Sequence, residues 1–407
     1  MTRWLATGAD ANTHTSYCSA PGRDGKMYSH YGIGQSLLQV PLYWAGSRFF
    51  PGYGAEDPWH AGQPYATYPL GAYLCIALEN CLAGGLVAAW LYRVCRRWFS
   101  TRAALQTVAV AVFGTMIWPY ARQSFGELWL AACLLGATWH LLEARPAGAA
   151  FWLGLGFNFK PVVALPILVG TLYLLRRPVR RGSLLAYGMV LAGWVGLALW
   201  YNWIRFGSLF EFGYERGFAL SHLGVMPYNY LLNPAYAIWI YAPPLVLAAT
   251  RWPSFWRRHT QDAALLLAVA LSYFLPYLAW HDPGQGWGPR LFLPALPLLL
   301  LPLGLLWPPS WQIFAVGALG ILAQLPAVLF DPSPALIRGA VSQPILDGGL
   351  WLQLADIVRG QAPIDLWFLR EYPPGFWFVP VVATLGVLMA AAGALLLRGG
   401  LAQLRHQ

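Results

Sequence analysis

The sequence predicts an all-α protein, a polytopic transmembrane helical bundle of about 10–11 spans. Hydrophobic residues make up 58% of the 407 residues and charged residues only 10%, whereas soluble domains carry about 25% charged residues. Apolar stretches long enough to cross roughly 30 Å of hydrocarbon recur along the chain. The loops between them alternate between arginine-rich and arginine-poor, which is typical of a chain that crosses a membrane repeatedly.

Nine segments are apolar over most of a membrane thickness and are predicted as single spans. They cover residues 70–92, 104–119, 128–142, 184–203, 232–249, 263–279, 291–307, 311–330 and 376–397. Trp, Tyr and Phe residues concentrate near the ends of several of these segments. Most of them are therefore interpreted as interfacial anchors rather than as a binding site.

Segment 151–175 is long enough for one span but is interrupted by Asn158, Lys160 and Pro161. Pro161 has no amide hydrogen to donate and disfavours helix at the residue before it. Both ends of the segment must be cytoplasmic if the arginine pattern is to hold. The sequence therefore predicts two short helices that meet at an outward or buried turn. The alternative is a single kinked span from which Lys160 snorkels.

The arginines predict which loops are cytoplasmic. The net charge is +10, yet lysine occurs only at positions 26 and 160, and arginine clusters lie at 93–102, 176–181, 251–258 and 398–405. We interpret this charge as membrane topology, with these loops inside, and expect no nucleic-acid partner. The expected domains are an outward first loop at 1–69, a helical domain at 70–397 with an outer loop at 331–375, and a cytoplasmic tail at 398–407.

The first outer segment, residues 1–69, contains neither a signal peptide nor a span that could carry it across the membrane. We expect that a first span precedes it; the alternative is translocation by the span that follows. Residues 33–50 are apolar on one side and contain Pro41, so they are predicted to form a helix on the outer interface. The cysteines show neither a disulfide framework nor a metal-binding spacing.

Four outward clusters combine Gly or Pro with ionisable side chains, at 24–36, 122–127, 158–161 and 280–290. They contribute the cations Lys26, Arg122, Lys160 and Arg290, which suit a phosphate or pyrophosphate head group because arginine binds phosphate in a bidentate manner and lysine binds it as a point charge. The alternative is that the arginines snorkel to lipid phosphates. Glu79 lies inside a predicted span and must face a cavity or a polar neighbour.

Residues around the start of the interfacial helix are candidate ligand contacts. Tyr28, Tyr31 and Gln35 are predicted to orient a substrate there, and His30 to face it. Gly32 and Gly34 would let a ligand approach the backbone. The alternative for His30 and for His281 is an ordinary hydrogen-bonded interface histidine.

Four runs together resemble the multi-span GT-C type glycosyltransferases, in particular bacterial relatives of the lipid A aminoarabinose transferases and the protein O-mannosyltransferases (family 39-like). They are GKMYSHYGIGQSLLQVPLY, YARQSFGELW, NWIRFGSLFEFGY and GPRLFLPALPLLLLPL. The resemblance implies interfacial helices in the first outer loop and a lipid-facing cavity for a polyprenyl-phosphate sugar. It implies that His30 stands where relatives have a phosphate-facing lysine, and that Arg290 is a second phosphate contact.

Two further implications concern the chemistry. His281 falls where some relatives place a metal ligand, so a divalent metal is left open, and no other cofactor is expected. Relatives carry a catalytic aspartate at the outer end of the first span, and this chain begins after that point; Asp24 is the stand-in, and Glu127 is the second candidate for a catalytic carboxylate.

The predicted function is transfer of a sugar from a polyprenyl-phosphate donor to an acceptor hydroxyl, by a single inverting displacement at the outer face of a bacterial inner membrane. Such a reaction needs a base for the hydroxyl and cations for the departing phosphate. The phosphate is assigned to His30, Lys160 and Arg290, with Lys26 and Arg122 as further contacts. Two alternatives are a flippase for lipid-linked sugars, which would show broken helices in both halves, and a non-catalytic member of the same fold.

Overall fold

The computed structural model describes residues 19–49, 54–56, 67–123, 125–214, 218–281, 284, 286–329, 354–355 and 358–359. Helices dominate these residues, as the composition predicts. They are α1 Gly34–Phe49, α2 Leu70–Ala77, α3 Glu79–Cys95, α4 Thr101–Phe113, α5 Ile117–Tyr120, α6 Glu127–Leu142, α7 Pro146–Phe159, α8 Ala164–Leu175, α9 Arg181–Phe206, α10 Met226–Leu231, α11 Ile238–Tyr241, α12 Pro244–Arg258, α13 Thr260–Phe274, α14 Leu296–Leu300 and α15 Trp311–Leu329.

Four of the described helical stretches are long and apolar enough to cross a membrane: Cys75–Cys95, Arg181–Phe206, Thr260–Ala279 and Trp311–Leu329. Shorter apolar helices cover Thr101–Phe113, Glu127–Leu142, Pro161–Leu175 and Leu296–Leu306. The helical membrane fold predicted from the sequence is confirmed, and the protein is a multi-pass membrane protein. The predicted span at 376–397 lies outside the described residues.

Helices α6 to α9 run antiparallel, each against the next. A Cβ on Gly136 of α6 would meet Trp152 of α7, and one on Gly170 of α8 would lie 3.1 Å from Leu153 of α7. The hydroxyl of Thr171 in α8 lies 3.0 Å from that of Tyr187 in α9. The chain therefore reverses at Lys160, whose backbone is extended (φ −146°, ψ 129°). The predicted helical hairpin at 151–175 is confirmed.

Two of the predicted spans are not continuous helices over the predicted residues. Where 232–249 was expected to be one helix, α12 begins at Pro244 and runs to Arg258. Pro243 and Pro244 stand at its start, where the missing amide hydrogens are not needed. Segment 291–307 is not one helix but a 3₁₀ turn Arg290–Phe292, then α14, then a second 3₁₀ stretch Leu301–Leu306.

The first outer segment begins with a two-stranded antiparallel sheet, β1 Ser19–Pro21 and β2 Met27–Ser29, in which Ser19 pairs with Ser29. Helix α1 follows and covers the predicted interfacial helix at 33–50. A second pair of strands, β3 Gly54–Glu56 and β4 Thr67–Pro69, precedes α2. The predicted span at 70–92 is divided at Leu78 into α2 and α3.

Arg97 joins loops that the arginine pattern predicts to be cytoplasmic. Its Nη1 lies 2.9 Å from Glu143, after α6, and its Nε lies 3.2 Å from Asp262, in the first turn of α13. Trp98 Nε1 donates to the same Asp262 carboxylate at 3.2 Å. Partly exposed pairs of this kind contribute about 0–1 kcal/mol each. The arrangement brings the ends of α3, α6 and α12 to the same side of the bundle.

Candidate functional site

A cavity of about 280 Å³ opens where the start of α1, the start of α6 and the turn after α7 meet. Its walls combine polar side chains with a few apolar ones. They include Ser29, Tyr31, Gln35, Ser36, Gln39, Phe125, Glu127, Phe159, Lys160 and Arg290. Both α1 and α6 begin at the cavity, so the positive ends of their dipoles lie beside it. This geometry favours a negatively charged ligand.

Three charged side chains meet at one oxygen atom inside this cavity. Lys160 Nζ lies 2.7 Å from Oε1 of Glu127, and Arg290 Nε lies 3.2 Å from the same atom. The Glu127 side chain is only 4% exposed and the two cations are each 14% exposed. Two cations beside one carboxylate are also an arrangement that suits a further anion, because arginine and lysine both bind phosphate.

Aromatic rings support the two cations. The Arg290 guanidinium carbon lies 4.4 Å from the centre of the Phe125 ring, and Lys160 Nζ lies 5.7 Å from the centre of the Tyr277 ring. A ring face attracts a cation electrostatically. The rings therefore stabilise both side chains on the cavity wall without neutralising their charge.

Asn80 fixes the loop that leads into Glu127. This side chain is buried in α3, and its Nδ2 donates to the carbonyl oxygens of Tyr120, Gln123 and Phe125. A loop beside a membrane helix must find partners for its backbone groups, and the two hydrogens of the Asn80 amide are shared among these three carbonyls. Asn80 was not predicted as a site residue; a lone amide in the first turn of an apolar helix is the signal that could have identified it.

The glycines of the first cluster serve helix packing. A Cβ on Gly32 would lie 2.0 Å from the carbonyl oxygen of Asn158, and one on Gly34 would lie 2.6 Å from the Phe159 ring. Gly32 also lines the cavity, so the expectation that it lets a ligand approach the backbone stays a prediction. The close approach lets the start of α1 contact the end of α7, and Gln35 and Lys160 line the same cavity.

The structure brings together five of the predicted site residues: Tyr31, Gln35, Glu127, Lys160 and Arg290. Asp24 and Lys26 instead lie exposed in the β1–β2 turn, where the Asp24 carboxylate accepts hydrogen bonds from the Lys26 amide and the Tyr28 hydroxyl. These three residues do not line the cavity. Their contacts are those of a hairpin turn.

Arg122 also lies outside the cavity lining. Its Nη1 donates to the carbonyl oxygen of Val328, near the end of α15. This contact joins the loop before α6 to a late helix. Arg122 therefore connects the loop before α6 to α15, on the side that the arginine pattern predicts to be outside.

His30 lies near the cavity but does not line it. Its ring stacks on Tyr214, with ring centres 4.7 Å apart. Partial burial, together with the positive charges of Arg205 and Lys160, lowers the pKa of His30 to about 4. The imidazole is therefore neutral at ordinary pH and supplies no positive charge to a phosphate.

The resemblance leaves a metal open at His281. This ring packs on Trp280, with centres 4.8 Å apart. Within the described ranges, no group of three His, Cys, Asp or Glu side chains is close enough to hold a metal ion. We derive no step through a metal.

Arg205 holds the approach to the cavity in place and was not singled out from the sequence. It is 2% exposed, although it ends the membrane helix α9. Its Nη1 donates to the carbonyl oxygens of Ser29 and Tyr31, and its Nη2 donates to Asn202 at 2.7 Å. Arg205 therefore attaches the first outer segment to the bundle just before α1. The pair Asn202 and Arg205, one helical turn apart at a span end, is the sequence signal.

Comparison with known proteins supports the same fold. The family model for dolichyl-phosphate-mannose-protein mannosyltransferase matches residues 73–204. The crystal structure of ArnT from Cupriavidus metallidurans in the apo state is similar at TM-score 0.52 and 14% identity, covering 84% of this chain and 60% of that one. Its structure bound to undecaprenyl phosphate is similar at TM-score 0.50 and 16% identity, covering 88% and 64%.

No curated protein sequence matches the chain. The chain spans less than two thirds of the length of the two ArnT structures. At 14–16% identity the likeness concerns the fold. The architecture nevertheless agrees with the order of spans and loops on which the resemblance to these enzymes rests, and the protein has the helical membrane fold of the GT-C type glycosyltransferases.

Proposed function

We propose that the protein is an integral-membrane glycosyltransferase that takes a sugar from a polyprenyl-phosphate donor. The observation that carries this proposal is that two cations, Lys160 and Arg290, lie on one wall of the cavity. Two helices, α1 and α6, begin at the same cavity. A phosphate monoester or diester can bind both cations and the positive ends of the two helices. The fold and the mannosyltransferase family match at residues 73–204 support a lipid-linked sugar as the source of that phosphate.

Glu127 is the carboxylate best placed to act as the base. In the ligand-free cavity its Oε1 contacts both cations. A bound donor phosphate competes for the same cations, which weakens their hold on Glu127 and makes the carboxylate more basic. Asp24 is the less suitable candidate because it is exposed and already accepts two hydrogen bonds in a hairpin turn.

The proposed reaction is a single displacement. The acceptor hydroxyl attacks the anomeric carbon and gives its proton to Glu127, while the bond from that carbon to the phosphate oxygen breaks. The phosphate leaves with the electron pair, and Lys160 and Arg290 stabilise its charge. Attack opposite the leaving group inverts the anomeric centre. We place the reaction at the outer face of the membrane, because the cavity lies at the loops that the arginine pattern predicts to be outside.

Replacement of Arg290 with Ala tests this assignment. Purified full-length protein in lipid nanodiscs would receive undecaprenyl-phosphate sugars with labelled sugar moieties, together with an envelope extract as the source of acceptors. We expect acceptor-dependent transfer in the wild type and a loss of at least a hundredfold in Arg290→Ala. Arg122→Ala, at an arginine of the loop before α6 that lies outside the cavity lining, is the control. Unchanged turnover in Arg290→Ala would contradict the assignment of Arg290 to the phosphate.

One observation favours the flippase alternative. Besides the break at Lys160 in the first half, segment 290–306 in the second half consists of short helices and 3₁₀ turns. Transporters often carry broken helices in both halves. The same nanodisc protein, reconstituted in vesicles, separates the two functions: a flippase moves the labelled donor across the bilayer with its sugar intact, whereas the enzyme consumes it.

A further inference from the structure

A buried carboxylate lies directly behind one wall of the cavity. Glu79 is 1% exposed and begins α3. Its Oε2 accepts a hydrogen bond of 2.6 Å from Gln39 Nε2 and one of 3.3 Å from Gln35 Nε2. Both glutamines line the cavity, whereas Glu79 does not. The sequence-based expectation that Glu79 has a polar neighbour is confirmed.

The contact with Glu79 determines which way the two amides face. A carboxylate only accepts hydrogen bonds, so each glutamine must turn its NH₂ group toward Glu79 and its carbonyl oxygen away. For Gln35 this direction is visible: its Oε1 lies 3.5 Å from the position that a Cβ on Gly126 would occupy, and Gly126 lines the cavity. Gln35 and Gln39 are one helical turn apart, on the same face of α1.

The cavity thus has two walls of different chemistry. One wall presents the cations Lys160 and Arg290, and the other presents the amides of Gln35 and Gln39. A phosphate suits the first wall but has no hydroxyl hydrogens to offer to amide carbonyls. A sugar attached to that phosphate carries several hydroxyl donors. The volume of about 280 Å³ lies just below the roughly 300–1,000 Å³ typical of ligand pockets, which suits a single sugar.

We propose that Glu79 is a positioning residue that holds the carbonyl oxygens of Gln35 and Gln39 toward the cavity, where they accept hydrogen bonds from sugar hydroxyls of the donor. The inference rests on the proposed function and adds the part of the site that recognises the sugar. Sites built to hydrogen-bond a hydroxyl discriminate strongly against ligands that lack it, because buried polar groups are then left unpaired.

Binding measurements on the full chain in nanodiscs test this proposal. The ligands are bare undecaprenyl phosphate and a panel of undecaprenyl phosphates that carry mannose, glucose or 4-amino-arabinose. We expect the wild type to bind at least one sugar-bearing lipid more than tenfold more tightly than the bare lipid. In Glu79→Gln the neutral amide can donate as well as accept, so the orientation of Gln35 and Gln39 is no longer fixed. This variant should lose the tighter binding of sugar-bearing lipids and bind bare undecaprenyl phosphate with the affinity of the wild type.

Glu143→Gln, the same substitution at the predicted inner face, is the matched control and should keep the tighter binding of sugar-bearing lipids. If Glu79→Gln does not fold, Gln39→Leu removes the shorter of the two hydrogen bonds and should give the same selective loss. The proposal is overturned if these variants weaken bare and sugar-bearing lipids equally, if they change neither, or if the wild type binds all four lipids equally well. Absence of binding to any of the four by the wild type would instead count against the proposed function.

Discussion

Lys160 and Glu127 lie 33 positions apart in the chain, yet Nζ of the lysine is 2.7 Å from Oε1 of the glutamate. The contact joins the first residue of α6 to the turn between α7 and α8, so it depends on the hairpin that Lys160 and Pro161 create. Arg290, from a much later loop, reaches the same oxygen. Three separate segments thus contribute one charged group each to the cavity.

Replacement of Lys160 should weaken phosphate binding selectively. The sequence contains only two lysines, and Lys26 lies exposed in the β1–β2 turn, so Lys26→Met is a matched control for Lys160→Met. We expect Lys160→Met to lower the affinity for undecaprenyl phosphate about 10- to 100-fold, because hydrogen bonds to charged groups contribute about 1.5–3 kcal/mol. Titration of both variants in nanodiscs measures this difference. Equal affinities would contradict the assignment of Lys160 to the phosphate.

Replacement of Glu127 with Gln should have different effects on the binding of undecaprenyl phosphate and on sugar transfer. Loss of the carboxylate removes the competitor of the phosphate, so binding of undecaprenyl phosphate should be retained or strengthened. Transfer should fall about 10²- to 10⁴-fold, the usual contribution of a general base. The ligand-free protein should lose about 3–5 kcal/mol of stability, because two cations lose their counter-ion. Thermal melting with and without undecaprenyl phosphate, beside a transfer assay, tests all three effects; transfer at the wild-type rate would exclude Glu127 as the base.

Replacement of Gly32 with Ala should disrupt the wall between α1 and α7. The added Cβ would lie 2.0 Å from a backbone oxygen of Asn158, which cannot move aside as a side chain could. We expect a loss of about 1–3 kcal/mol and weaker binding of undecaprenyl phosphate. Gly85→Ala is the control, since no atom lies within 4 Å of its Cβ position in α3; it should be neutral or stabilising by about 0.5–1 kcal/mol. Similar melting temperatures for both variants would contradict the close approach.

Titration of His30 should affect stability rather than phosphate binding. Its folded-state pKa is about 4, below the usual histidine value of 6.5, so the unfolded chain takes up a proton first as pH falls. Stability should therefore decrease from about pH 6.5 toward pH 4, and His30→Gln should reduce that decrease. The affinity of the wild type for undecaprenyl phosphate should show no His30-dependent rise between pH 7.5 and 5.5. A rise that disappears in His30→Gln would indicate a protonated, phosphate-binding histidine.

Local chemistry made much of the fold predictable. Apolar length and the alternation of arginines identified α3, α9, α13 and α15 as membrane helices, because a chain in hydrocarbon must satisfy its backbone groups internally. Pro161 identified the hairpin for the same local reason. The segment 291–307 was predicted as one helix because apolar composition alone does not distinguish a continuous helix from short turns interrupted at Pro294, Pro297 and Pro302.

Residue type alone could not show which of the cations and carboxylates line the cavity. Lys26 and Lys160 both stand near the expected outer surface, but Lys26 lies in a hairpin turn and Lys160 beside Glu127. His30 was predicted to face the phosphate, and only its packing on Tyr214 and the nearby Arg205 reveal that it is neutral. The structural roles of Asn80 and Arg205 depend on carbonyl groups distant in sequence.

The sequence by itself determined the helical membrane fold and predicted its alternation of sides and its outward loops, since hydrophobic length, proline position and arginine content act through local physical chemistry. The tertiary structure alone decided which outward residues form one site. Four different segments supply Glu79, Glu127, Lys160 and Arg290. The roles of these residues depend on desolvation, ion pairing and amide orientation. These effects are set by distances between segments rather than by residue type.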